Sequence, residues 1–90
     1  MTRRAEAWRP ARGGRAIERV FVLRDFDAAA ALIARVAALA RARDHHPDLH
    51  LTRYRRLRVV LGTREAGRVT RLDRGMAAAV DALARRQRPR

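Results

Sequence analysis

The chain has 90 residues and a formal net charge of +13, and all 22 of its basic residues are arginine. It has no cysteine, which excludes disulfides, thiolate zinc sites and a cysteine nucleophile. No apolar run approaches the roughly 20 residues of a membrane span, and the basic N-terminus lacks the apolar stretch of a secretory signal, so we expect a soluble cytoplasmic protein.

Residues 1–15 are predicted to form a basic N-terminal arm, interrupted by Pro10 and the Gly13-Gly14 pair. Trp8 is a large apolar residue within it, and we expect it to anchor the arm or to begin an edge strand. From Ile17 to Leu23 the side chains alternate, with one nearly apolar face, and many are β-branched or aromatic. That pattern predicts a strand.

A helix is predicted from Phe26 to about Ala42. Asp25 is a plausible N-cap in front of it. Its apolar positions recur at helical spacing and form one stripe. They are Phe26, Ala29, Leu32, Ile33, Val36, Leu39 and Ala40. Pro47 ends any helix before it and favours an extended backbone at His46.

Two further strands and a second helix are predicted after Pro47. The strands contain Leu49 and Leu51, then Leu57, Val59 and Leu61, with a bend or hairpin at Arg53 to Arg56, although no Asn-Gly turn is present. Thr70 and Asp73 resemble a capping box. The helix that follows carries Leu72, Met76, Val80 and Leu83 at helical spacing.

The order of these elements indicates an α+β fold, an antiparallel sheet of about four strands with two helices packed on one face. We expect one domain over residues 16–85 and a basic tail over residues 86–90. Much of the 48% hydrophobic fraction is alanine, and only four residues are aromatic. Such a thin core favours self-association, so a homodimer or tetramer is expected.

The positive charge has two interpretations. It attracts phosphates, nucleic acid or an acidic protein surface. Alternatively, the arginines reflect a GC-rich coding bias and solvated tails, since many lie in 2–15 and 85–90. No recognition helix, zinc finger or aromatic RNA platform is visible. We therefore favour solvated tails and do not expect nucleic acid as the partner.

Three histidines lie within six positions, at His45, His46 and His50. Histidine donates or accepts a proton at neutral pH, so an adjacent pair can address two parts of one ligand. One alternative is that these residues are cations at a helix C-terminus, which the helix dipole favours. A metal site is a second alternative, but the cluster lacks a convincing carboxylate geometry.

Several segments together resemble the pterin-4a-carbinolamine dehydratase family from Trp8 to about Ala84. They are the block from Ile17 to the Asp25-Phe26 pair, Asp44-His45-His46-Pro47-Asp48, Tyr54, the Gly-containing loop after Thr63, Val69-Thr70 and Asp73. The resemblance implies dehydration of a 4a-hydroxytetrahydropterin to a quinonoid dihydropterin, without a metal or other cofactor.

The resemblance also implies roles for individual residues. His45 would be the general acid for the departing hydroxyl, and His46 would bind the pterin and assist proton removal. Asp73, Asp48 and Tyr54 would contact the substrate. For Asp73, a helix-capping carboxylate is an equally good interpretation.

This chain also departs from the family pattern. Arg64 stands where a third histidine is usual; it cannot act as an acid or base but can donate hydrogen bonds to the substrate. Arg41 replaces an acidic, Lys or His residue. The family's first helix, which normally precedes the Trp, is either missing or was cut off by the choice of start codon. Hence an alternative function is a catalytically weak module that binds or assembles other proteins, as family relatives do. Nucleic-acid binding through the arginine tails is a third.

Overall fold

The computed structural model describes residues 7–87. The elements in chain order are β1 (Arg9–Ala11), a 3₁₀ turn (Arg12–Gly14), β2 (Ala16–Val22), α1 (Phe26–Arg43), β3 (Asp48–Thr52), β4 (Arg56–Leu61) and α2 (Arg71–Arg86). The strands form one antiparallel sheet in the order β1-β2-β4-β3. The α+β prediction with four strands and two helices is confirmed. Residues 1–6 of the predicted arm and 88–90 of the predicted tail lie outside the described residues.

The core lies between one face of the sheet and both helices. Alternation along the strands turns every second side chain towards the helices. The sheet contributes Phe21, Leu57, Val59 and Leu61, α1 contributes Leu32 and Val36, and α2 contributes Met76 and Val80. The opposite, outer face leaves Val20 and Val22 exposed. Within residues 7–87, no helix is long and apolar enough to cross a membrane.

Two predicted core positions are wrong. Phe26 is 54% exposed and Leu72 is 61% exposed. Each belongs to the first turn of its helix, so the stripe inferred from spacing extends one turn beyond the face that packs on the sheet. The extent of the sheet decides which helix residues are buried, and helical spacing alone does not define that extent.

Trp8 anchors the segment that enters the sheet. Its Nε1 donates to both carboxylate oxygens of Asp81 in α2, at 3.0 and 3.1 Å. Its ring meets Phe21 edge-on at 6.3 Å. β1 follows directly and pairs with β2 as an edge strand. Of the two alternatives for Trp8, the anchor is observed, and the edge strand begins one residue later, so part of the predicted arm belongs to the sheet.

Strands β3 and β4 form a hairpin around Arg53–Arg55. Arg53 and Tyr54 both have positive φ, 49° and 53°, although neither is glycine or asparagine. Arg55 braces the turn, since its guanidinium lies 3.4 Å from the carbonyl oxygen of Leu23 and 3.3 Å from that of Arg24. The predicted bend at Arg53 to Arg56 is thus a hairpin without the usual turn residues.

Candidate active site

The C-terminus of α1 fixes the position of His45. Asp44 adopts the left-handed conformation (φ 51°, ψ 43°), which aspartate tolerates better than most residues. The backbone N–H of Asp44 donates to Arg41 O at 3.3 Å, and that of His45 donates to Ala40 O at 3.1 Å. This is the hydrogen-bond pattern of a Schellman motif. The backbone of His45 is therefore tied to the last turn of α1.

The N-terminus of α2 fixes Asp73. The side chain of Thr70 accepts a hydrogen bond from Leu72 N at 3.2 Å, and Oδ2 of Asp73 accepts one from Thr70 N at 2.9 Å. The predicted capping box is confirmed. The carboxylate of Asp73 is nevertheless completely buried, which a surface cap does not require.

His45 and Asp73 meet where the two helix ends converge. Nε2 of His45 lies 2.6 Å from Oδ1 of Asp73. On the other side of the carboxylate, the hydroxyl of Thr63 donates to Oδ2 at 2.7 Å. The hydroxyl oxygens of Thr63 and Thr70 are 2.7 Å apart. Since Thr63 already donates to Asp73, Thr70 is the donor in that last contact.

The ionisation of Asp73 determines which nitrogen of His45 carries hydrogen. Burial disfavours the charged carboxylate, but hydrogen bonds from Thr63, the Thr70 backbone and His45 outweigh it and hold the pKa of Asp73 below 3.8. An ionised carboxylate only accepts hydrogen bonds. Hence Nε2 of His45 bears a hydrogen, and Nδ1 is the ring nitrogen that Asp73 leaves free.

An open cleft of about 610 Å³ lies beside this pair, within the range of small-molecule sites. Four of the predicted site residues line it: His45, His46, Asp48 and Arg64. The other lining residues are Arg12, Arg15, Asp44, Val60, Gly62, Thr63, Glu65 and Gly67. Asp73 does not line the cleft itself; it contacts His45, which does.

Tyr54 is not brought to the cleft. It lies in the β3–β4 turn and is 61% exposed. The cleft is at the other end of β4, a strand of six residues, which at about 3.3 Å per residue separates its ends by about 17 Å. The hairpin register therefore directs Tyr54 away from the histidines of its own chain.

Asp48 lies on β3 at the edge of the cleft. It forms an ion pair with Arg12. The hydrogen bond from Arg12 is the main reason that the pKa of Asp48 is lowered, and the positive charge of Arg64 adds to it. Arg64 lies on the turn that follows β4 and lines the cleft. Where the resemblance implies a third histidine, this chain therefore has a permanently charged arginine that lines the cleft.

Sequence reasoning missed two parts of this site. Thr63 continues the inward alternation of Leu57, Val59 and Leu61, and a polar residue at an inward position signals a buried partner. The sequence pattern places Arg12 in a basic arm, although the following Gly13-Gly14 pair is typical of a tight turn. Among residues 7–87, no group of three or more His, Cys, Asp or Glu side chains is placed to hold a metal ion.

Comparisons with known proteins assign the chain to a family. The model of the pterin 4 alpha carbinolamine dehydratase family matches residues 1–83 of the chain. The chain belongs to this family. A Bradyrhizobium sp. (strain ORS 278) protein, provisionally named a pterin-4-alpha-carbinolamine dehydratase, is 47% identical over 77 residues, covering 86% of this chain and 76% of that protein.

Two solved structures share the dehydratase fold. A transcriptional coactivator/pterin dehydratase from Brucella melitensis is 38% identical, with a TM-score of 0.82 over 90% of this chain and 86% of the other. A pterin dehydratase-like protein described as a RuBisCO assembly factor in the alpha-carboxysome is 22% identical, with a TM-score of 0.75 over 88% and 90%. At that identity the second comparison shows the fold alone.

Proposed function

We propose that this dehydratase-family chain converts 4a-hydroxytetrahydropterins to quinonoid dihydropterins, with His45 and His46 as acid and base. Family membership supports the reaction class. The observation that best supports the mechanism is the 2.6 Å contact between Nε2 of His45 and the buried Asp73, at the wall of a cleft that His46 also lines.

The reaction removes a hydroxyl from C4a and a proton from the adjacent ring nitrogen. His45, as imidazolium, protonates the departing hydroxyl, the C–O bond breaks, and water leaves. The electron pair of the N–H bond becomes the new carbon–nitrogen double bond, and His46 takes the proton. No electrons are gained or lost. The two histidines then return to their starting states by exchanging protons with solvent.

Asp73 orients the acid. Because its carboxylate holds the Nε2–H of His45, Nδ1 is the nitrogen that exchanges a proton with the substrate. Asp48 and Arg64 bind polar groups of the pterin. Arg64 stays protonated, so it donates hydrogen bonds but does not transfer protons. We leave Tyr54 out of this site because it lies at the far end of β4.

The test is an assay of purified protein on 4a-hydroxytetrahydropterin, with spontaneous dehydration as the baseline. His45→Ala and His46→Ala should each lower the enzymatic rate about 100-fold, a typical contribution of a general acid or base. His50→Ala is the matched control, since His50 is exposed on β3 and outside the cleft. A folded wild-type protein with no rate above the baseline would refute the proposal.

A protein-binding role is the second candidate. It is favoured by the exposed Val20 and Val22, 38% and 57% accessible on the outer face of the sheet, and by Arg64, which cannot transfer protons. Capture of a stoichiometric partner by both wild type and the His45→Ala/His46→Ala double variant would support it. Loss of capture in that double variant would contradict it.

A further inference from the structure

The turn between β1 and β2 is held against the cleft at a conformational cost. Three successive residues, Arg12, Gly13 and Gly14, have positive φ of 52°, 66° and 91°. The first is not glycine, so its backbone is strained, and such strain persists only where the surroundings enforce it. The turn carries Arg12 and Arg15 to the lining of the cleft.

Gly62 at the end of β4 allows this close approach. A Cβ at Gly62 would lie 2.9 Å from the carbonyl oxygen of Arg15 and 3.3 Å from Cβ of Ala16. Any larger residue would push the turn outwards. The placement of the two arginines is therefore built into the packing of the turn on β4, in contrast to a solvated arm.

The three cleft arginines are not equivalent. Arg12 is occupied, because it pairs with Asp48. Arg15 uses its Nε to donate to Arg12 O at 3.0 Å, which leaves its terminal amino groups for other acceptors. Among residues 7–87, neither Arg15 nor Arg64 forms an ion pair. Two guanidinium groups thus line the same cleft without a carboxylate partner in the described chain.

The acidic residues of the cleft do not neutralise the positive charge of Arg15 and Arg64 through ion pairs. Asp44 and Glu65 line the cleft too, but both are exposed and neither forms an ion pair with an arginine within residues 7–87. The chain as a whole carries +13, so its long-range field attracts anions to the opening. Guanidinium groups match the two oxygens of a carboxylate or phosphate through paired hydrogen bonds.

We infer that the cleft selects pterins whose side chain carries an anion, a carboxylate or a phosphate, and that Arg15 and Arg64 bind that group. This inference rests on the proposed function for the pterin ring. Arg64 would then contribute to substrate selection, and the strained turn would hold Arg15 in place to bind the anion. The ring would lie against His45 and His46, and the anionic substituent would extend towards the turn.

Direct binding of fluorescent pterins tests this inference independently of turnover. The ligands are pterin-6-carboxylate, 6-hydroxymethylpterin phosphate and neutral 6-hydroxymethylpterin, titrated by fluorescence anisotropy. Wild type should bind at least one anionic ligand about tenfold or more tighter than the neutral one, because a hydrogen bond to a charged group is worth at least that factor. The better anion identifies the substituent as a carboxylate or a phosphate.

Variants that each remove one arginine charge show which residues cause the preference for anionic pterins. Arg15→Gln should lose most of it while binding the neutral pterin as wild type does. Arg64→Gln should also lose most of it, and it should bind the neutral pterin more weakly, because Arg64 is proposed to bind polar groups of the ring as well. Arg56→Gln is the matched control: it removes one charge from an exposed residue at the opposite end of β4. Equal wild-type affinities for all three ligands, or equal effects of all three variants, would overturn the inference.

The result separates this inference from the proposed function. Anion-selective binding without any dehydratase activity would sustain the selective cleft and refute the catalytic proposal. Dehydration without a preference for anionic pterins would do the reverse. Failure of all three ligands to bind a folded protein would overturn the inference, while the dehydration assay would still decide the proposed function.

Discussion

Replacing Asp73 by asparagine keeps the shape of the side chain but reverses a hydrogen bond. Oδ2 of the carboxylate accepts from the backbone N–H of Thr70 at 2.9 Å and the hydroxyl of Thr63 at 2.7 Å. The backbone donor cannot be reversed, so the amide oxygen must take this position. The amide NH₂ then faces Nε2 of His45, which has to present a lone pair. The hydrogen of His45 therefore moves to Nδ1.

We expect two measurable consequences of Asp73→Asn. The dehydration rate should fall about 100-fold or more, since the amide NH₂ disfavours the imidazolium form of His45, and a neutral ring that gave up its Nδ1 hydrogen would become an anion. Stability should fall by about 2 kcal/mol: three hydrogen bonds to a charge each lose about 1 kcal/mol, and relief from burying that charge offsets part of the loss. Urea unfolding at pH 7 measures the second effect.

The difference in unfolding free energy between wild type and Asp73→Asn should depend on pH. The pKa of Asp73 is lowered in the folded protein from its ordinary 3.8. A lowered pKa stabilises the fold above the unfolded value, and the contribution is lost as pH falls through the folded value. The gap in unfolding free energy between wild type and Asp73→Asn should therefore be largest near neutral pH and shrink below about pH 4.

Nitrogen-15 NMR of His45 identifies the tautomer directly. Wild type should show hydrogen on Nε2 in the neutral ring, and Asp73→Asn should show it on Nδ1. A variant that keeps the Nε2–H tautomer, or that unfolds at the same urea concentration as wild type, would refute this account of the buried carboxylate.

Urea unfolding also checks three smaller predictions. Thr63→Val should cost about 1–2 kcal/mol, because the methyl group that replaces the hydroxyl keeps the shape of the side chain but cannot donate to Asp73. Gly62→Ala should cost about 1–3 kcal/mol and weaken binding of anionic pterins, since its Cβ meets Arg15 O at 2.9 Å. Asp48→Asn should cost less than about 1 kcal/mol, because the side chains of Arg12 and Asp48 are about half exposed. A larger loss would show that this ion pair stabilises the fold more than an exposed pair does.

The elements predicted correctly are those with local signals. Asp25 accepts a hydrogen bond from Ala28 N at 2.8 Å and starts α1 as a cap. Thr70 and Asp73 form the expected box. In both cases the interacting groups lie within three residues of each other, so spacing along the chain is enough to predict the contact.

The parts that were not predicted depend on contacts between distant segments. The hydroxyl of Thr63 meets a carboxylate ten residues later only because β4 ends beside the start of α2. Arg12 reaches Asp48, which is 36 residues away, only after β1 has joined the sheet. The sequence motif identified His45 and His46, but the orientation of the first depends on where a helix 28 residues later begins.

The hydrogen bonds behind His45 converge on the carboxylate of Asp73. Thr70 donates to Thr63, Thr63 donates to Asp73, and Nε2 of His45 donates to the same carboxylate from the other side. Every donor points at the ionised group, so the chain ends there and cannot pass a proton into the interior. Under the proposed mechanism, we therefore expect the protons exchanged in a turnover to enter and leave through the open mouth of the cleft, so that buffer access to that mouth affects the rate.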